Sequence, residues 1–272
     1  MMQIGQAVAF KEFIWNFYEQ NKRDFVWRHI DNPYFVLVSE IMLQQTQTQR
    51  VIVSYEEFIA AFPTIEVLAA ASLRDVLLVW QGLGYYRRAR FLHQLAQAVV
   101  NEYGGLLPQD PKLLQNLPGI GPNTAGSICA FAFNQPVTFI ETNIRTVFID
   151  SFFRDQESVT DKELLPLIRA TVDQENPREW YYALMDYGVF LKSRKINPSR
   201  KSAHYNKQSK FEGSDRQIRA KIVKLIAENE KVSHHEVLTL INKDSARVEK
   251  IITKLLAEDF IKKSINNVYS LV

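Results

Sequence analysis

The chain has 272 residues, of which 46% are hydrophobic and 23% charged, and its formal net charge is +3 at pH 7. A soluble chain of this length can bury more than one core. It contains no apolar run of about 18 residues and no N-terminal signal pattern, so we expect no membrane partner. Its one cysteine, Cys129, excludes an internal disulfide or a cysteine-based metal site. We therefore expect a cytoplasmic location, and we expect the chain to be a monomer.

Up to residue 191, apolar residues recur at intervals of three and four, which is typical of helices with one buried face. Proline, glycine and asparagine separate these segments. The predicted helices cover residues 8–19, 51–61, 73–81, 87–102, 143–153, 161–173 and 178–191. No strand alternation precedes residue 258, so the sequence predicts an all-α fold for this part.

Glu40 is a carboxylate inside an apolar segment that includes Val38 and Ile41. A carboxyl group in such surroundings loses hydration, which favours its neutral form and raises its pKa. A raised pKa suits a general acid that works at neutral pH. The alternative is an ion pair between Glu40 and a buried arginine such as Arg28 or Arg87.

Residues 117–128 combine a Pro-Gly-x-Gly turn with a helix that begins directly behind it. Glycine permits a tight bend and a close approach to another surface, and Pro122 fits the first turn of a helix. The N–H groups of Gly119, Ile120 and Gly121 would then point outward at the positive helix end, where a DNA phosphate can bind. The alternative is an ordinary turn between two helices.

Glu141 comes just before Asn143, at the predicted start of another helix. A helix N-terminus favours the carboxylate anion, although Glu141 could serve only as a helix cap. Enzymes that cleave a glycosidic bond commonly use one neutral and one ionised carboxyl group. The first protonates the leaving group, and the second stabilises the cationic sugar.

The segment that follows the last of these helices carries basic side chains and no acidic ones. They are Lys192, Arg194, Lys195, Arg200, Lys201, Lys207 and Lys210. Such a run is either a solvated linker or a segment that contacts phosphates.

Residues 214–272 follow a different pattern, in which three short helices precede two strands joined by a polar turn. This order is typical of a winged helix, which usually places one helix in the DNA major groove. Because acidic and basic residues mix along the third helix, a winged helix that binds protein is the alternative.

Five segments in order resemble the helix-hairpin-helix (HhH-GPD) DNA glycosylases, and within them the MutY-type adenine DNA glycosylases. The segments are 27–28, 33–34, 39–46, 80–86 and 117–121, and the resemblance covers roughly residues 20–191. It implies an all-α, two-lobed helical HhH-GPD glycosylase fold, to which a C-terminal winged-helix domain is added. The expected domains are a six-helix lobe at 30–137, a second helical lobe at 1–29 plus 138–212, and the winged helix at 214–272. DNA and the flipped base would lie in a cleft between the two lobes.

The resemblance also implies a role for each matched residue. Glu40 matches the acid that protonates adenine at N7, Glu141 matches the carboxylate that stabilises the oxocarbenium ion, and Asn143 matches a residue that orients this carboxylate. Gln45 and Tyr85 match side chains that enter the base stack as adenine flips out; a surface amide and a core aromatic are the alternatives. The further predicted DNA contacts are Gly119, Ile120, Gly121, Asn123, Arg28, Arg87, Lys192 and Arg194.

The sequence departs from the family pattern in four ways. The family usually has Asp at the position of Glu141, and most relatives carry four iron–sulfur cysteines where Lys192, Ser199, Ser202 and Gln208 stand here. We therefore predict that the cluster is absent. We expect no domain that recognises 8-oxoguanine, because the winged helix stands in its place, and the lysine that bifunctional relatives use for a Schiff base is replaced by Asn123.

These features predict a monofunctional base-excision repair glycosylase that acts on double-stranded DNA with a mismatched or damaged base. The expected reaction is hydrolysis of the N-glycosidic bond of adenine opposite 8-oxoguanine or guanine. One alternative is the same chemistry on mismatched thymine or uracil, or on a deaminated purine. The other is a protein that binds lesion DNA without catalysis.

Overall fold

In the computed structural model, which describes residues 4–194, 197–207 and 210–272, helices follow one another along most of the chain. The first eleven are α1 (Ile4–Asn21), α2 (Pro33–Leu43), α3 (Thr48–Ala61), α4 (Ile65–Ala70), α5 (Leu73–Val79), α6 (Arg87–Tyr103), α7 (Pro111–Gln115), α8 (Pro122–Phe133), α9 (Thr142–Phe152), α10 (Asp161–Thr171) and α11 (Pro177–Ser193). Short 3-10 helices cover Val26–Arg28 and Pro198–Lys201. The predicted helices recur with ends shifted by about one turn or less, which confirms the helical class.

Two short helices, α4 and α7, were not predicted from the spacing of apolar residues. Each has a local start signal instead. The Thr64 side chain accepts a hydrogen bond from the Val67 N–H at 3.3 Å, and Asp110 accepts one from the Lys112 N–H at 2.6 Å. Helices of five or six residues are too short to show a period of 3.6, so only their caps identify them.

The chain forms two compact units. The first contains the described residues of Met1–Glu40, Pro108–Asn116 and Ile120–Lys207, and the second contains those of Ile41–Leu107, Leu117–Gly119 and Gln208–Val272. The boundaries of these units differ from those of the predicted domains, 30–137, 1–29 plus 138–212, and 214–272. The division into these three domains stays a prediction. No helix in the described ranges is both long enough and apolar enough to cross a membrane.

In the first unit, α11 packs against α1, α8 and α9. Aromatic rings fill the space between these helices: Phe131 stacks on Tyr182 with ring centroids 4.6 Å apart, and Phe139 lies 4.2 Å from Tyr181. The fully buried Trp180 contacts Phe10 of α1 edge to face. This core fixes α8, α9 and α11 around the segment that ends at Glu141.

In the second unit, the C-terminal segment adds three helices and a small sheet to α3–α6. Its elements are α12 (Asp215–Asn229), β1 (Val232–Ser233), α13 (His234–Ile241), α14 (Ser245–Ala257), β2 (Ile261–Lys263) and β3 (Val268–Leu271). The strands are antiparallel in the order β1-β3-β2. The predicted hairpin is present as β2 and β3, whereas β1, which pairs with the other edge of β3, was not predicted. Two residues are too few for an alternating pattern to reveal a strand.

Candidate functional site

Glu40 lies on α2 among the buried side chains of Val38, Ser39 and Ile41. The pKa of the Glu40 carboxyl is raised to about 7. Burial is the main cause and the negative charge of Glu141 adds to it, whereas a hydrogen bond with Ser127 acts in the opposite direction. Glu40 is therefore substantially protonated near neutral pH, as the sequence analysis expected from its apolar surroundings.

Ser127 of α8 is a partner of Glu40 that the sequence analysis missed. The Ser127 hydroxyl has one proton, and its oxygen also lies 3.0 Å from the carbonyl oxygen of Thr124. With that proton directed at Thr124, Ser127 can accept a hydrogen bond from neutral Glu40; with the proton directed at Glu40, it stabilises the anion. Ser127 can thus serve both protonation states. The sequence signal that could have identified Ser127 was a hydroxyl side chain among the alanine, glycine and apolar residues of α8.

Glu141 is the N-cap of α9 and holds its carboxylate against the helix terminus. One carboxylate oxygen accepts hydrogen bonds from the N–H groups of Asn143 and Ile144 at 2.6 and 2.8 Å. The other accepts one from the Asn143 side-chain amide at 3.1 Å. These donors and the helix dipole stabilise negative charge at this position. Capping and an anionic catalytic group, which the sequence left as alternatives, are compatible in this geometry.

Asn143 has a second polar atom at this position. Its side-chain oxygen is buried and forms no hydrogen bond with another described residue. A buried amide oxygen without a partner is costly unless water or a bound molecule supplies a donor. Asn143 can therefore orient Glu141 with its nitrogen and accept a hydrogen bond from a bound water with its oxygen.

Close packing fixes the backbone on both sides of Glu141. A side chain at Gly188 would place its first carbon 2.6 Å from the Asn143 carbonyl oxygen, and one at Gly126 would come within 2.5 Å of Phe139. The Asn123 side chain accepts a hydrogen bond from the Ile140 N–H at 3.3 Å. Glycine is thus required at position 188 so that α11 can approach the start of α9.

Lys192 lies one helical turn after Gly188 and therefore on the same face of α11. Burial lowers the pKa of the Lys192 ammonium group, and the negative charge of Glu141 partly offsets this effect. The structure thus places Lys192 near Glu141; its predicted contact with DNA stays a prediction.

Arg28 was predicted to contact DNA, and this prediction needs correction. Its side chain is 6% exposed and forms two hydrogen bonds with the buried carboxylate of Asp186, at 2.7 and 2.8 Å. The guanidinium also lies 4.4 Å from the centre of the Tyr182 ring. Breaking a buried ion pair is costly, so Arg28 holds α11 in place and is not available to a ligand. The alternative pairing of Arg28 with Glu40 is likewise not found.

The turn before α8 has the backbone that its sequence predicted. Gly119 has φ +78°, and a side chain there would come within 2.8 Å of Phe91. Gly121 is the N-cap of α8 and has open space where a side chain would stand. The N–H groups of Gly119, Ile120 and Gly121 form no hydrogen bonds with other described residues. They are donors that a phosphate can use, although the Ile120 side chain itself is buried.

Gln45 and Tyr85 share a backbone conformation that is unusual for residues other than glycine. Their φ angles are +54° and +48°. Such residues are strained, and they persist only where surrounding contacts hold them. Gln45 is exposed and Tyr85 is half-buried. Both predicted base-stack residues therefore stand at the tips of constrained turns in the second unit.

Arg88 holds both of these turns and was missed by the sequence analysis. Its guanidinium donates to the carbonyl oxygens of Ile41, Met42 and Gln44 at 2.6–2.8 Å. It also donates to the Thr46 hydroxyl at 2.9 Å and lies 5.3 Å from the centre of the Tyr85 ring. The sequence signal that could have identified Arg88 was its position among the regularly spaced residues that form the buried face of α6.

Two other arginines that were predicted to contact DNA are exposed. Arg87 lies over the Phe91 ring at 5.5 Å, and Arg194 lies over the Phe190 ring at 4.5 Å. Stacking on an aromatic ring leaves the guanidinium edge accessible. Both positions are compatible with phosphate contacts, which stay predictions.

The segment that follows α11 is held by hydrogen bonds. Ser199 and Ser202, at two of the positions where relatives have cysteine, are buried. The Asn197 side chain accepts bonds from the Ser199 N–H and hydroxyl at 3.0 and 2.7 Å. Val159 pairs with this segment through backbone bonds with Lys201 and Ala203 at 2.8 and 2.9 Å. Gln208 lies outside the described residues, and the absence of an iron–sulfur cluster stays a prediction.

The described residues thus include a neutral acid, Glu40, and a carboxylate fixed at a helix N-terminus, Glu141. They also include a glycine turn before α8 and two constrained turns. Residues 38–169 match the family model for the HhH-GPD superfamily of base excision DNA repair proteins. This match covers just under half of the chain.

Within the superfamily, the chain is similar to curated adenine DNA glycosylases. It is 37% identical to the enzyme of Homo sapiens over 68% of this chain and 36% of that protein. It is 27% identical to the enzyme of Mycobacterium tuberculosis over 93% of this chain and 90% of that protein. The chain thus spans little more than a third of the length of the human relative.

Among solved structures, the chain is similar to a thermostable thymine-DNA glycosylase. The TM-score is 0.63 and the identity 25%, over 71% of this chain and 91% of that chain.

Proposed function

We propose that this chain is a DNA glycosylase that hydrolyses the N-glycosidic bond of adenine mispaired with 8-oxoguanine or guanine. The observation that carries the proposal is the pair of unlike carboxyl groups. Glu40 is half-buried, and desolvation raises the pKa of its carboxyl to about 7, whereas Glu141 is held as an acceptor by the N–H groups of α9. The names of the similar adenine DNA glycosylases support adenine as the base.

In the proposed reaction, neutral Glu40 gives its proton to N7 of the flipped adenine. The bond between C1′ and N9 then breaks, and the base takes the bonding electrons. The negative charge of Glu141 stabilises the oxocarbenium ion that remains. Water attacks C1′ and returns a proton to Glu40, while the Asn143 amide oxygen is placed to hold a water at this site.

We propose double-stranded DNA with a mismatched or damaged base as the partner. The N–H groups of residues 119–121 would bind a backbone phosphate, and Gln45 and Tyr85 would fill the stack that the extruded base leaves. The third helix of the C-terminal segment also supports DNA as the partner. Its Glu249 is paired with His234 at 2.8 Å, which leaves Lys250 and Lys254 on the exposed face.

The enzyme is proposed to be monofunctional and to work without an iron–sulfur cluster. Asn123 replaces the lysine that a Schiff base requires, and one cysteine cannot supply four thiolate ligands. Protein expressed without iron should therefore release the base at the same rate as protein expressed with iron. A loss of activity on iron depletion, or an absorbance band typical of a cluster, would contradict this part of the proposal.

The experiment that tests the proposal uses duplexes with A:8-oxoG, A:G, T:G, U:G and hypoxanthine pairs under single-turnover conditions. Alkali-labile sites should form at adenine, and no strand break should form without alkali. Strand breaks that borohydride traps as a covalent complex would show a Schiff-base mechanism. Tight binding without base release would show a protein that recognises lesions and lacks catalysis.

The similarity to a thymine-DNA glycosylase favours mismatched thymine or uracil as the second candidate substrate. Glu40→Gln discriminates between the two. Adenine leaves readily only when N7 is protonated, so its release should nearly disappear, whereas pyrimidine release should depend less on this acid.

A further inference from the structure

The C-terminal segment is attached to the helical part of the second unit by arginines that cap helix ends. Arg74 of α5 donates to the Ala227 carbonyl oxygen in the last turn of α12 at 2.8 Å. Arg90 of α6 donates to the Glu258 carbonyl oxygen at the end of α14 at 2.6 Å. The last carbonyl groups of a helix lack partners within the helix, so these contacts satisfy groups that would otherwise need water.

An aromatic contact strengthens the same attachment. Phe260, which is fully buried, lies 5.6 Å from the Arg90 guanidinium and 5.4 Å from that of Arg219. Arg219 is in turn paired with Glu258 at 2.6 Å. Contacts of this number and geometry fix the orientation of α12 relative to α5 and α6.

The first turn of α12 then reaches one of the two constrained turns. The Arg216 guanidinium donates a hydrogen bond to the Tyr85 hydroxyl, and it lies 5.6 Å from the centre of the Tyr85 ring. Arg88 lies 5.3 Å from the same ring. Two guanidinium groups, one from each part of the second unit, therefore hold this ring.

The Tyr85 backbone needs such contacts. Its φ of +48° is unfavourable for a residue with a side chain, and tertiary contacts must offset this cost. Arg88 braces the turn from within α6, and Arg216 braces the hydroxyl end of the side chain from α12.

We propose that Arg216 is a positioning residue for Tyr85, so that the C-terminal segment is a working part of the base-flipping element. This inference rests on the proposed function, in which Tyr85 enters the base stack. It goes beyond that function because it assigns a role in catalysis to a segment outside the matched family domain. Arg216 acts through Tyr85 and has no part in the chemistry at the sugar.

A double-mutant cycle tests this assignment. Tyr85→Phe removes the hydroxyl that accepts this bond, and Arg216→Gln removes the guanidinium that donates it and lies over the ring. Each should lower the rate of base extrusion about fivefold to tenfold, and the double variant should be no slower than the Arg216→Gln variant. Arg216→Lys, which keeps a charged donor, should restore part of the rate. Lys221→Gln is the matched control, because it removes an exposed positive charge from the same helix.

Stopped-flow fluorescence of 2-aminopurine at the target position measures extrusion whether or not a base is released. A wild-type protein that extrudes the base without cleaving it would contradict the proposed function while still testing Arg216. Two results would overturn the inference: effects of the two single variants that multiply in the double variant, or an Arg216→Gln variant that matches Lys221→Gln. Thermal unfolding of each variant separates a positioning effect from loss of the fold.

Discussion

Glu40 and Glu141 carry the same functional group, and their surroundings separate them. Glu40 sits in the apolar part of α2, where burial raises the pKa of its carboxyl to about 7. Glu141 sits at the N-terminus of α9, where two backbone N–H groups and one side-chain amide donate to its oxygens. The comparison shows how position in a helix selects a role. A carboxyl group inside an apolar helix becomes an acid, and one at a helix N-terminus becomes a stabilised anion.

The two environments are also coupled. The charge on Glu141 contributes to the raised pKa of Glu40, so the anion helps to keep its neighbour protonated. Loss of either group should therefore affect the other, and substitutions at the two positions should not act independently.

The largest effect is expected from Glu40→Gln, which removes the acid. Single-turnover release of adenine from an A:8-oxoG duplex should fall by about a thousandfold, within the range of 10²–10⁴ for general acid catalysis. Binding of the duplex should remain. Glu57→Gln is the control at an exposed site. A Glu40→Gln rate within about threefold of wild type would show that another group protonates the base.

Glu141→Gln should reduce the same rate by about a hundredfold, because the amide keeps the size of the side chain and loses its charge. Glu141→Asp keeps the charge but shortens the reach by about 1.5 Å, one carbon–carbon bond. If the backbone of α9 has adapted to glutamate, the aspartate variant should be slower than wild type. Full activity of the Glu141→Gln variant would contradict the role of Glu141 as the stabilising anion.

Stability should depend on pH through Glu40. The pKa of its carboxyl rises from 4.5 to about 7 on folding, so ionisation penalises the folded state increasingly as pH rises from about 4.5 to 7. At about 1.4 kcal/mol per pKa unit, the full penalty is on the order of 3 kcal/mol.

Glu40→Gln should remove this penalty. Its effect on the free energy of unfolding should therefore be more stabilising at pH 8 than at pH 5, by up to about 3 kcal/mol. Denaturant titration at both pH values measures the difference, in which effects of packing that are independent of pH cancel. An equal effect at both values would mean that Glu40 has an ordinary pKa.

The smallest effect is expected from Asn143→Ala. This change removes the 3.1 Å bond from the amide to Glu141 but leaves the two backbone donors, so the rate of base release should fall only several-fold. Asn143→Asp places a second negative charge beside Glu141 and should be more harmful. A greater loss with alanine than with aspartate would show that the amide does more than orient the carboxylate.

Local features of the sequence predicted local structure well. The spacing of apolar residues predicted the longer helices, the position of Glu141 predicted its cap, and the Pro-Gly-x-Gly turn predicted the tight bend in which Gly119 has φ +78°. Each of these depends on residues that are close in sequence, so each can be deduced from a short segment.

Partners that are distant in sequence could not be predicted in this way. Periodicity places Arg88 on a helix but does not say what it contacts, and no local pattern says what Arg28 contacts. Arg28 pairs with Asp186, and Arg88 binds carbonyl groups that begin at Ile41. The contact of Ser127 with Glu40 likewise joins two helices. Such pairs depend on how helices pack, which a single sequence does not reveal.

The most direct test of the account is the pH dependence of adenine release by the wild-type protein under single-turnover conditions. Protonated Glu40 is required, so the rate should fall about tenfold per pH unit above pH 7, in line with the raised pKa of its carboxyl. The Glu40→Gln variant should show no such descending limb. A wild-type rate that stays constant from pH 6 to pH 9 would contradict the assignment of Glu40 as the acid.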